Sequence, residues 1–290
     1  MTMQTGISSP TITYLGTNTL FIEDSRTRII IDPFFTRCSS PLGLPIMFDT
    51  IHPNEKAIEN GLKVSNIDSA DAILLTHTHY DHALDMPTIA KMTGATVYGT
   101  KSAKNVALGG GLPENRFVEI GAGSRFSIGR FEIVTMISKH VPLPFIVSPF
   151  IGAGTAIEKP ITPPVRASEY SEGGVLCFLM KHPAGKLLIF GSGPLVGYTG
   201  DYSADVAVVA VGGLVLKARG YTRRLFKNYL RPANPRKILI SHWDDFTKPL
   251  EEPLPPITGY NRTMRLFRKF KEQDTPLITL RYNEKYSIFD

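Results

Sequence analysis

The chain opens with short apolar and β-branched runs, Thr11-Ile12-Thr13-Tyr14-Leu15, Thr19-Leu20-Phe21-Ile22 and Arg28-Ile29-Ile30-Ile31. Turn-forming residues separate them, so each predicts a strand. Ala72-Ile73-Leu74-Leu75 is continuously apolar, the pattern of a strand covered on both faces. Residues 87–92 then predict a short helix with Pro87 in its first turn. A strand at Thr96-Val97-Tyr98 and a helix over 102–108 follow, closed by Gly109-Gly110-Gly111. Residues 124–128 and 131–136 flank Gly129-Arg130 and predict a hairpin. Between 141 and 171 lie six prolines, Pro142, Pro144, Pro149, Pro160, Pro163 and Pro164, which is loop composition. Strands resume at 175–180, 186–190, 206–209 and 237–240, with helices predicted over 216–230 and 261–271. Two groups of strands, each followed by helices, predict an α/β fold with two sheets face to face and helices outside. We read 1–290 as a single domain with a Pro-rich loop insertion at about 141–171.

Composition narrows the picture only a little. Hydrophobic residues at 42% and charged residues at 20% are the balance of an ordinary globular chain. Nothing approaches the run of about 18 apolar residues needed for a membrane-spanning helix, and no membrane span is expected. The start MTMQTGISSP has neither a basic beginning nor an apolar core, so no secretory signal is expected and a cytoplasmic location is. Cys38 and Cys177 form no CxxC pair and suggest neither a disulfide framework nor a thiolate zinc site. The net charge is +6, with Lys and Arg concentrated in 219–227 and 262–271. Because they alternate with Leu and Phe at helical spacing and form no dense block, the simpler reading is two solvated helix faces. The other reading is an anion-attracting surface, which keeps an anionic substrate open while a nucleic-acid partner is not expected.

The chemistry is concentrated in Thr76-His77-Thr78-His79-Tyr80-Asp81-His82, directly after the Ala72–Leu75 run. As core, three imidazoles and a carboxylate would each need a buried partner. On a loop they can turn inward and share one or two cations, since neutral imidazole is the commonest metal ligand and a carboxylate compensates charge. His52 and His182 each precede a loop-forming Pro and are read as structural or solvated.

The HxHxDH pattern resembles that of the metallo-β-lactamase superfamily. Tyr14 to Thr19 and Ile31-Asp32-Pro33-Phe34 are similar to the first strands of the branch containing L-ascorbate-6-phosphate lactonase and N-acyl phosphatidylethanolamine phospholipase D. Ser138-Lys139-His140 and Ser241-His242-Trp243-Asp244 resemble the positions of the later histidine ligands. The resemblance implies an αββα sandwich of two mixed sheets and a site for one or two divalent ions, zinc first, with manganese, iron or nickel open. His77, His79 and His140 would hold one ion, and Asp81, His82 and His242 the other. It further implies a hydrolase acting on a small-molecule ester, lactone or phosphodiester through metal-bound hydroxide, with Asp81 also serving catalysis.

One position departs from the pattern. The superfamily places a bridging aspartate in a Gly-Asp pair after the strand matched by 186–190, where this chain has Gly191-Ser192. Gly200-Asp201 lies too close to the following strand to take that place. A neutral hydroxyl is a poor ligand for a hard cation and leaves positive charge uncompensated, so a weakened second site is expected. The same departure motivates the alternative of a metal-binding or sensing protein without catalysis, and the net positive charge motivates that of a nuclease. Phe145, Ile146, Val147, Phe150 and Ile151 in the Pro-rich loop are read either as a substrate-facing lid or as plain packing.

Overall fold

The computed structural model describes residues 9–38, 49–142, 152, 154–217 and 219–290. Two seven-stranded mixed sheets form its centre. The first runs in the spatial order Lys285–Ser287, Thr11–Tyr14, Leu20–Glu23, Arg28–Ile31, Ala72–Leu74, Thr96–Gly99 and Phe117–Glu119. Pairing is antiparallel up to Arg28–Ile31 and parallel beyond it. The second runs Leu277–Thr279, Lys237–Ser241, Val206–Ala210, Gly185–Phe190, Val175–His182, Phe131–Ser138 and Arg125–Ile128. Its first four strands are parallel, and its last three continue antiparallel. A two-stranded ribbon pairs Thr50–Ile51 with Val165–Arg166.

Side-chain alternation makes three cores from these two sheets. In the strand Ala72–Leu74, Ala72 and Leu74 join Ile29, Ile31, Phe178 and Ile189 between the sheets. Ile73 and Leu75 point the other way and pack with Ile58, Ile89 and Val106 of the helices covering the first sheet. On the far side, Val209 and Ile240 of the second sheet meet Leu225, Phe226, Met264 and Phe267. The order is helices, sheet, sheet, helices, as the αββα expectation had it.

Several elements differ from the sequence reading. The helix Glu55–Val64, capped by the Asn54 side chain on Ala57 N, went unforeseen. Gly61 in its middle weakens the helical signal, and the Phe35 ring lies so close that a Cβ there would stand 2.4 Å from it. The helix predicted over 216–230 is broken. A turn over Gly213–Leu216 ends in an extended Lys217, and a new helix over Arg219–Leu225 opens into a widened turn at Phe226–Leu230. The described part of the Pro-rich segment packs on the first half of the chain rather than standing free. Ile157 is bonded by Ser102 Oγ (3.0 Å) and Asn105 Nδ2 (2.6 Å), and Thr100 Oγ1 donates to Gly173 O (2.8 Å). Phe145, Ile146, Val147, Phe150 and Ile151 lie outside the described residues. Among the described residues no helix is long and apolar enough to cross a membrane.

Candidate metal centre

Four strands run in one direction and release their chains at one edge of the sandwich. Ala72–Leu74 leads to His77, Phe131–Ser138 to His140, Gly185–Phe190 to Ser192 and Lys237–Ser241 to His242. That edge, at the carboxyl ends of strands, is where an open sheet leaves a crevice.

There the structure brings all six sequence-selected donors into two groups. His77, His79 and His140 offer ligand atoms within 4.8 Å of one another, and so do Asp81, His82 and His242. The two groups adjoin, because the His77 and His82 ring centroids are 4.0 Å apart. Asp81 Oδ2 lies 3.3 Å from His242 Nε2 and 3.6 Å from His82 Nε2. His77 Nε2 and His79 Nδ1 are 3.0 Å apart.

Rings are fixed from behind, leaving the opposite nitrogen toward the shared space. His140 Nδ1 donates to Val141 O (2.9 Å) and His82 Nδ1 to Asp32 Oδ2 (2.8 Å). A carboxylate or carbonyl on the outer nitrogen selects the tautomer and raises ligand basicity. His242, at a left-handed φ of 53°, has its Nδ1 buried with no hydrogen-bond partner among the described residues. Its ring lies on Gly212, where a Cβ would come within 2.6 Å, so only glycine leaves room for it.

Electrostatics suit a cation. Burial, then the neighbouring imidazoles, hold His77 well below its usual value, and burial brings His140 down to about 4. Both are therefore neutral and able to ligate. Burial opposes ionisation of Asp81, but the His82 charge and the His242 hydrogen bond outweigh it, and the carboxyl is held well below its ordinary range. For His82, burial is outweighed by Asp81 and Asp32, which push it up.

Asp32 is the residue that the sequence reading passed over. It is fully buried and takes a hydrogen bond from Asn18 Nδ2 (2.8 Å), two from Thr76 (N, 2.7 Å; Oγ1, 2.6 Å) and the one from His82. Asn18 in turn accepts from Ser241 Oγ (2.8 Å), so one chain of bonds joins the His82 loop to the residue before His242. Asp244 repeats the theme: it receives Tyr14 Oη, Thr17 N (2.8 Å) and Arg37 Nη1 (2.7 Å). Asp85 accepts from Phe35 N (2.6 Å) and Thr36 N (2.7 Å), which fixes the segment between Asp32 and Arg37. Asp32 and Asp244 both stand inside stretches already noted, Ile31–Phe34 and Ser241–Asp244, but neither was given a role there.

The remaining candidates fall elsewhere. Gly191 abuts Thr76, with a Cβ there only 2.2 Å from Thr76 Cγ2, so Ser192 follows the strand next to the His77 loop. Asp201 is exposed and pairs with Lys186 (3.6 Å), away from the two donor groups. His52 is exposed, whereas His182 is buried on Asp24 (3.2 Å). Cys177 is core and Cys38 half-buried; both are free thiols.

The family described as the Beta-lactamase superfamily domain matches residues 27–157. A UPF0173 metal-dependent hydrolase of Myxococcus xanthus is 38% identical over 89 residues, which is 31% of this chain and 30% of that one. The chain spans less than half the length of the curated relatives it matches first, 30 to 47%. Among solved structures, Igni18, a metallo hydrolase of the archaeon Ignicoccus hospitalis, superposes with a TM-score of 0.58 at 14% identity, covering 96% of this chain and 98% of its own. An isothiocyanate hydrolase from Delia radicum gut bacteria gives 0.59 at 13%, covering 96% and 99%. At such identities the structures speak for the fold alone. Together with the matched domain, they show that the chain has the metallo-β-lactamase fold.

Proposed function

We propose that the protein is a metal-dependent hydrolase in which His77, His79 and His140 hold one divalent cation and Asp81, His82 and His242 hold a second. The observation that carries this reading is the pair of adjoining three-donor groups, each within 4.8 Å. Imidazole and carboxylate donors fit zinc first, with manganese, iron and nickel as alternatives. A divalent ion held there supplies Lewis-acid polarisation of the scissile group and acidifies water near neutral pH. The chain's own part is to keep His77 and His140 neutral, to hold Asp81 ionised as ligand and proton acceptor, and to fix His82 and His140 through Asp32 and Val141. The similarity to metal-dependent hydrolases favours hydrolysis, and the resemblance of the motifs to the lactonase and phospholipase D branch favours an ester, lactone or phosphodiester as substrate.

Metal content per chain tests the reading. Elemental analysis of the protein, reconstituted with zinc or manganese, should find metal that His77→Ala loses. Chelator-sensitive turnover of p-nitrophenyl esters, a simple lactone or bis-p-nitrophenyl phosphate should accompany it. Protein that binds neither metal and turns over none of these substrates would be a non-catalytic member of the superfamily. Ser192→Asp gives a second check. The second group lacks that negative charge and holds its cation weakly, so with a carboxylate there the metal retained per chain after dialysis should rise toward two. An unchanged stoichiometry would place residue 192 outside the second group.

A further inference from the structure

The cationic side chains are segregated. Residues 206–243 and 257–271 contain thirteen of the 32 Lys and Arg and no Asp or Glu. The other 19 are set against all 26 acids, so the remainder carries −7 in a chain of net +6. The fold places much of the positive part on one surface, because Arg219–Leu225 with its widened turn Phe226–Leu230 packs beside Tyr260–Phe270 over the second sheet, Phe226 against Phe267 at 5.0 Å. Arg219, Arg223, Lys227 and Arg231 recur every fourth residue and are exposed. Arg262, Arg265, Arg268 and Lys269 are exposed on the neighbouring helix. Among the described residues, only Arg231 of this set pairs with an acid, Glu272 at 2.6 Å. Leu216, 58% exposed, stands beside the start of this stripe.

We infer that this two-helix face docks on an anionic lipid surface. Clustered Lys and Arg attract acidic headgroups, and a leucine exposed among them gains by entering the headgroup boundary, whereas it gains nothing from phosphates in water. Nucleic acid fits less well. Tyr221 and Phe270 on this face lie under Arg224 (6.0 Å) and Arg219 (5.8 Å), which leaves these rings less open to base stacking. The inference does not depend on the metal centre or on the reaction.

Vesicle co-sedimentation tests it with the intact protein. The chain should pellet with phosphatidylcholine vesicles that contain phosphatidylglycerol and stay in solution with pure phosphatidylcholine. Binding should vanish in about 1 M salt, where the Debye length is about 3 Å. The triple variant R223E/K227E/R265E should lose binding by at least about fivefold for each cation reversed, with unchanged melting. Leu216→Ser should weaken binding while keeping its salt dependence. The inference fails if the acidic vesicles leave the protein in solution at low salt, if the triple variant pellets like the parent, or if only single- or double-stranded nucleic acid is bound and released by salt.

Discussion

Asp32→Ala is expected to be among the most damaging single substitutions outside the six donors themselves. Four hydrogen bonds converge on this fully buried carboxylate, from Asn18, from Thr76 twice and from His82. Alanine leaves those donors buried without an acceptor. Removing one member of such a charged network costs about 3–5 kcal/mol. His82 loses the group that fixes its tautomer, and loss of such an outer partner costs about 10–100-fold in metal affinity. Urea unfolding in the presence of chelator reads the first effect, and metal titration of the folded variant reads the second. A variant with parental stability and parental metal affinity would show that Asp32 neither supports the loop nor orients His82.

Asp244→Ala should be comparably severe for a different reason. The carboxylate and Arg37 form an ion pair with side chains 1% and 3% exposed, and Arg37 Nε and Nη2 are already buried without partners among the described residues. Taking away Asp244 strands a guanidinium charge in the interior, again at about 3–5 kcal/mol. The double variant R37M/D244A should be less destabilised than D244A alone, because the stranded charge is then gone. Acid provides an independent readout. Burial raises the Asp244 carboxyl, but Arg37 and the Tyr14 hydroxyl outweigh it and hold it below its ordinary 3.8. Its contribution to stability is therefore complete above that value and fades as the pH falls through the depressed folded-state value. Part of the parent's loss of stability below about pH 4 should be missing in D244A. Equal pH profiles for the two proteins would dismiss the linkage.

The same two carboxylates show why some of this protein was legible in its sequence and some was not. The Ala72–Leu74 strand was readable because a strand buried on both faces must be apolar at every position, and its neighbours in each core confirm both faces. The helix Glu55–Val64 was not, because Gly61 answers to the Phe35 ring, a contact that no local pattern carries. Likewise Lys285–Ser287 pairs with Thr11–Tyr14 from the other end of the chain, and its edge position leaves little alternation to read.

By itself the sequence determined the types of donor and the periods of the elements. Both are properties of side chains and of a few consecutive residues, so His77, His79, Asp81 and His82 announce cation chemistry wherever the loop lies. Tertiary structure alone decided which donors stand together and what aims them. His140 and His242 reach the cluster because strands far apart in sequence end at one edge, and Asp244 meets Tyr14 across 230 positions. Such contacts form only when two sheets close on a common core, and no pattern within a short stretch of chain encodes where that closure places a side chain.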